Sequence, residues 1–219
     1  RELFPKRLPR FQPSLKERSV IHKQEVVGNR WSLPFPGADR SVVYRSQRYM
    51  FEKENERPIQ MRAYISFESF FQVLGVAFFG LIFGFLTRFS CGRSLLLNNP
   101  KFFTGGLASH EGPSEEFNEH AILEVLFIGE GWKDKLSEST DKFETPMNKK
   151  MITRVSCKNP GYGSTTIALL LCAKMILNEK EKMPETGGVM PPGAAFHNTS
   201  LLAALQSNGF TFEVLKTEE

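Results

Sequence analysis

Hydrophobic and polar positions change their period several times along this chain, and each change marks an element. In "RSVVYRSQRYMFEK", Val42, Val43, Ser46, Tyr49 and Met50 share one helical face, while Arg40, Arg45, Arg48 and Lys53 lie away from it. Asp39, just before, reads as the N-cap, since a carboxylate accepts from free first-turn N–H groups. "NERP" ends this helix. Ile59, Met61, Ala63 and Ile65 then alternate with Gln60, Arg62 and Tyr64, which predicts a strand over 58–66.

Further on, "AILEVLFIGEGW" is apolar on both sides apart from Glu124 and predicts a central strand. "KKMITRVSCKNP" predicts its neighbour, and the polar stretch 133–148 an exposed hairpin loop between them. "STTIALLLCAKMILNEK" predicts a largely buried helix, and "GGVMPPGAAF" a loop. Asn198 is placed to cap "TSLLAALQSN", Gly209 fits the C′ position, and "FTFEVL" closes as a strand. No internal repeat is present. The fold class expected is α+β (mixed or antiparallel sheet with flanking helices), with an apolar membrane- or lipid-associated helical insertion.

That insertion is the feature that stands apart. "SFFQVLGVAFFGLIFGFLT", residues 69–87, carries no charge. As a helix it spans roughly 28 Å, marginal against a hydrocarbon layer of about 30 Å. Gly80 and Gly84 form a GxxxG, which suits either a membrane helix-packing face or a glycine-notched core helix. If the strands on either side share one sheet, both ends of the stretch lie on the same side of a bilayer, and a single crossing is excluded. A core helix or a segment that dips into a lipid surface and returns then remains. "RSLLLNNPKFF" supplies a second apolar patch, with Arg88, Arg93 and Lys101 placed for the headgroup level, and favours the lipid surface. The residues expected to contact lipid are Phe70, Phe71, Phe78, Phe79, Leu81, Ile82, Phe83, Phe85 and Leu86.

Composition sharpens this in two places. There are 20 Phe against 4 Tyr and 2 Trp, and much of that excess lies between Phe67 and Phe103. The net charge of +4 is unevenly spread, since residues 1–38 hold eight Lys/Arg against three Asp/Glu. These residues read as a basic, proline-containing, irregular segment, a solvated linker before a touch point for anionic lipid or nucleic acid. The domain expectation is therefore 1–38 as that segment and 39–219 as an α/β domain with the apolar insertion at 67–106. The chain begins with Arg1 and its opening residues lack the apolar run of a signal peptide, so further sequence is expected upstream. Cys91, Cys157 and Cys172 have no CxxC spacing and argue against a disulfide framework.

Candidate chemistry is sparse. In "PGYGSTT", Gly161 and Gly163 follow a strand and open a helix, the setting of a dinucleotide fingerprint, but Thr166 holds the third glycine position. A tight strand–helix turn is the plainer reading. His22, His110, His120 and His197 have no ligand spacing, so no metal is expected. Glu115, Glu116 and Glu119 read as a solvated acidic turn. No residue is assigned a catalytic role.

Taken together, "PFPGADRSVVYRSQRYMFE", "TRFSCGRSLL", "EGP" at 111–113, "GEGW" at 129–132, "NPGYGSTTIAL" and "GGVMPPGAAFHNTSLLAALQSNGFTFEV" resemble, in order, the C-terminal half of saccharopine dehydrogenase-like oxidoreductases. The resemblance covers nearly the whole chain and is most specific at Asp39–Tyr49 and Gly187–Val214. It implies an N-terminal Rossmann domain absent from this chain, and NAD or NADP as cofactor of the intact member, with none bound by this chain alone. It also implies association of the animal branch with lipid droplets and membranes, and hydride-transfer chemistry resembling that of bacterial relatives on lipid precursors. The polar groups that saccharopine cleavage needs for a dicarboxylate do not map onto these residues. The partners expected are a lipid surface or membrane, the missing Rossmann domain and a homodimer mate, with no nucleic acid. The location expected is the cytosolic face of a lipid droplet or membrane, with the mitochondrion as a second compartment. A non-catalytic lipid-surface or scaffold protein that kept the fold is the alternative.

Overall fold

Gly28 and Asn29 both hold left-handed backbone, at φ 74° and 58°, a region that glycine and asparagine enter at least cost. They lie in the turn that joins β1 (His22–Gln24) to β2 (Arg30–Pro34). The computed structural model describes residues 8, 11–16, 18–106, 108–185 and 187–219. Two strands thus occupy a stretch expected to be irregular. Its prolines and charges mask the alternation of Trp31 and Leu33 with the buried Ser32.

The chain divides into two compact units. Residues 18–35 and 64–121 form one. Here β2 pairs antiparallel with β1 on one side and with β3 (Tyr64–Phe67) on the other. Ser32 and Ser66, cross-strand partners, join their hydroxyls at 3.0 Å. Four helices follow: α2 (Phe70–Leu86), α3 (Ser90–Asn98), α4 (Pro100–Phe103) and α5 (Glu115–His120). The three glutamates expected in an acidic turn lie on α5, which Ser114 caps through Phe117 N–H at 3.2 Å.

The other unit holds the described residues of 1–17 with 36–63 and 122–219. It contains α1 (Asp39–Glu54) and a sheet of order β4-β5-β6, formed by β4 (Ile122–Gly131), β5 (Lys149–Lys158) and β6 (Thr211–Glu218). Three further helices are α6 (Gly163–Asn178), α7 (Pro192–Ala195) and α8 (Leu201–Ser207). Both sheets are antiparallel, so the α+β class with mixed helices holds. On β5, Arg154 bonds the Glu213 carboxylate of β6, with Nε at 2.8 Å, and lies 3.5 Å from Glu124 of β4. These charges raise the Arg154 pKa further above its ordinary value, Glu213 contributing most.

Several expectations are corrected. The strand over 58–66 shortens to β3, because α1 satisfies the backbone before it. Gln47 Oε1 accepts from Ile59 N–H at 2.9 Å, and the Tyr44 hydroxyl donates to the Met61 carbonyl at 3.0 Å. Since β3 belongs to one sheet and β4 and β5 to the other, the shared-sheet argument against a membrane crossing fails. Helix length takes its place: no helix among the described residues is long and apolar enough to cross a membrane.

Strand β4 is an edge among the described residues, not a centre, and its apolar side chains, Ile122, Leu123, Val125 and Phe127, are exposed. Helix α6 buries only Ser164 and Met175, and Leu169 and Leu177 stand in the open. "PGAA" makes the short helix α7 instead of a loop. Asp39 is the first helical residue after the Ala38 cap and makes no capping bond, although its charge still suits the N-terminal dipole. Ser200 stands at the N-cap of α8, while Asn198 turns to His197.

Candidate lipid-facing surface

Helix α2 starts at a complete capping box. Ser69 Oγ accepts from Phe71 N–H and Gln72 Oε1 accepts from Ser69 N–H, each at 3.2 Å, so first-turn donors are satisfied at one defined place. That turn is anchored within its own unit. Phe70 packs on Trp31 with ring centroids 4.9 Å apart, and Val73 is completely buried.

Apart from Val73 the helix is largely open. Phe71 is 82 % exposed, Leu81 75 % and Phe85 63 %, and Phe70, Phe78, Phe79 and Phe83 are exposed as well. Ile82 and Leu86 are half-buried. Seven of the nine residues named for lipid contact therefore lie on exposed surface, and the structure places all nine on this one helix. The glycines do not serve as a notch for another helix of the described residues, where a Cβ on Gly75, Gly80 or Gly84 would meet nothing within 4 Å. Packing in the chain's own core thus does not account for these side chains.

The turn into α3 is close. Gly92 lies against the Leu86 backbone so tightly that a Cβ there would overlap the Leu86 carbonyl group. Arg93 donates to the Thr87 carbonyl at 3.0 Å, and the Thr87 hydroxyl to the Gly84 carbonyl at 3.0 Å, which satisfies acceptors at the α2 end. Phe89, Leu95 and Leu97 of this region and Phe102 of α4 extend the exposed apolar surface. Exposed apolar side chains in this number on neighbouring helices mark an interaction surface.

The glycine turn at Gly161–Gly163 does not fit a nucleotide cradle. Gly163 N–H donates to the Asn159 side-chain oxygen at 3.1 Å and Ser164 N–H to the Asn159 carbonyl at 2.9 Å. A Cβ on Gly163 would meet the Asn159 side chain at 3.1 Å. The donors and space that a pyrophosphate would need at this helix start are already filled by the chain itself. No group of three or more His, Cys, Asp or Glu able to hold a metal forms among the described residues. The three cysteines are unpaired, and burial raises the pKa of the Cys172 thiol.

One polar cluster gave no sequence signal. His197 Nε2 meets the Glu54 carboxylate, its Nδ1 faces the Ala194 carbonyl at 3.1 Å, and the Asn198 amide lies 2.9 Å away. Gly193 comes so close to Ser46 that a Cβ would sit 2.9 Å from its hydroxyl. The cluster clasps α1 to α7, and 143 residues separate Glu54 from His197. Only a record of which positions vary together would have found it.

No family model matches the chain, and no solved structure matches it. Curated relatives do. The human protein named "Saccharopine dehydrogenase-like oxidoreductase" is 36 % identical over 215 residues, 98 % of this chain and 49 % of its own length. A protein of Arabidopsis thaliana named "Probable mitochondrial saccharopine dehydrogenase-like oxidoreductase" is 32 % identical over 90 % of the chain and 47 % of its own length. A "Lipid droplet localized protein" of Caenorhabditis elegans is 29 % identical over 98 % of the chain and 50 % of its own length. The chain belongs to the saccharopine dehydrogenase-like oxidoreductases and spans about half the length of the curated relatives it matches, their C-terminal half.

Proposed function

We propose that this chain is the C-terminal portion of a lipid-associated, NAD- or NADP-dependent oxidoreductase that acts on a lipid-class substrate at the surface where it sits. The single observation that carries the lipid association is α2, anchored at its first turn and exposed over most of its remaining apolar length. Removing one large apolar side chain from water is worth about 1.5–3 kcal/mol, so several on one helix make a strong drive toward an apolar phase. The name of the nematode relative supports a lipid droplet, and that of the plant relative a mitochondrial site. The oxidoreductase part rests on the family name shared by the relatives.

Nicotinamide, when bound in the intact protein, supplies hydride transfer, and this chain supplies the lipid-facing surface. Because the Gly161–Gly163 turn is filled by Asn159, the nucleotide would be held by a Rossmann domain preceding these residues. A homodimer that covers the exposed apolar side chains of β4 and α6 belongs to the same reading.

A second reading, a non-catalytic lipid-surface protein that kept the fold, is favoured by the name of the nematode relative, which gives a location and no activity. The test is NADH and NADPH binding by the intact natural protein, with lipid present and absent. Saturable binding of either supports the oxidoreductase. No binding of either, with lipid association retained, supports the second reading.

A further inference from the structure

Resting on the lipid reading above, we infer that α2 lies along the plane of a lipid interface with anionic headgroups, and that Arg88, Arg93 and Lys101 engage those headgroups. From Ser69 to Ser109 the chain carries these three cations and no Asp or Glu. All three are exposed, among the exposed Phe85, Phe89, Leu95 and Phe102. Apolar side chains interspersed with cations, and with no carboxylate between Ser69 and Ser109, complement a surface that offers both hydrocarbon and negative charge.

The orientation follows from where the cations sit. Phe70 and Val73 fix the start of α2 against Trp31 and the body of its unit. Thr87 to Phe89 are therefore the far end, and Arg93 is held there by its bond to the Thr87 carbonyl. Entry tip first would carry Arg88 and Arg93 deepest into hydrocarbon, the most costly place for a guanidinium. Nor do the helices suit a hairpin that crosses and returns. The 17 residues of α2 reach roughly 26 Å and the 9 of α3 roughly 14 Å, against a hydrocarbon layer of about 30 Å. Lying flat, α2 brings its exposed phenylalanines and Leu81 to the acyl boundary while the cations beyond its end stay at headgroup depth.

The test uses the intact natural protein and vesicles of phosphatidylcholine alone or mixed with phosphatidylserine. Each cation near an anionic surface strengthens partitioning about fivefold, so the three give on the order of a hundredfold preference for the mixed vesicles at low salt. The preference weakens as salt shortens the range of the attraction. The variant Arg88→Gln/Arg93→Gln/Lys101→Gln loses that preference and keeps the binding to neutral vesicles. Leu81→Trp and Phe89→Trp, read separately with lipids brominated at shallow or deep carbons, are both quenched by the shallow bromines. Equal binding of the wild type to both vesicles, an unaltered preference in the triple variant, or deep quenching of Phe89→Trp overturns the inference while the lipid reading stands. Binding to neither vesicle removes the lipid reading itself, and this inference with it.

Discussion

The Glu179 carboxylate accepts both the backbone N–H of Ser200, at 2.9 Å, and the Ser200 hydroxyl. One acidic residue just beyond α6 thereby holds Ser200, the N-cap residue of α8, and Lys182 Nζ adds a bond at 2.9 Å. These bonds, the Ser200 hydroxyl first, lower the Glu179 pKa from its ordinary 4.5 to about 2. A depressed carboxyl pKa contributes stability above the unfolded value, and that stability is lost as pH falls through the folded one. The stability difference between wild type and Glu179→Gln is expected to be constant above about pH 4.5 and to vanish by about pH 2. Denaturant unfolding of both proteins across that range checks it.

Arg57 ties the loop between β4 and β5 to the chain before it. It donates to the carbonyls of Ser139, Asp141 and Gln12 at 3.2, 2.5 and 3.2 Å, and lies over the rings of Phe11 and Phe143. Arg57→Ala is expected to cost about 1.5–3 kcal/mol, as for hydrogen bonds to a charged group, and to raise tryptic cleavage at Lys135 and Lys142. Arg57→Lys should restore little, because an ammonium lacks the planar fork that spans three carbonyls. Limited proteolysis with mass spectrometry reads both.

Gly92→Ala places a methyl group where the Leu86 backbone already is. Overpacking of this kind costs about 1–3 kcal/mol and here displaces α3 from the end of α2. Lower thermal stability, with increased amide exchange at Thr87–Arg93, is the expected result.

Much of the second sheet was legible, because local signals agree there. The strand-like runs at β4 and β5, the polar loop 133–148 between them, and Gly209 at φ 90° after α8 all point the same way. The first sheet was not, since a three-residue strand, β1, carries too little pattern to be seen. The placement of β4 failed for a physical reason. An apolar strand looks central whether neighbouring strands or a separate partner cover it, and only the pairing tells them apart. The candidate surface was half legible. Hydropathy marked residues 69–87, but burial and exposure give a helix the same apolar sequence, and three open glycines with an exposed Phe71 and Leu81 decide between them.

Contact between α2 and lipid is read by flotation of the intact natural protein with lipid droplets or vesicles. Phe71→Ser/Leu81→Ser/Phe85→Ser changes three exposed side chains on one helix and should leave folding intact, as far-UV circular dichroism and thermal unfolding would record. Wild-type protein is predicted to float with the lipid and the triple variant to remain at the bottom of the gradient. Equal flotation of the two, or wild-type protein that stays below with a folded spectrum, would exclude lipid contact through α2.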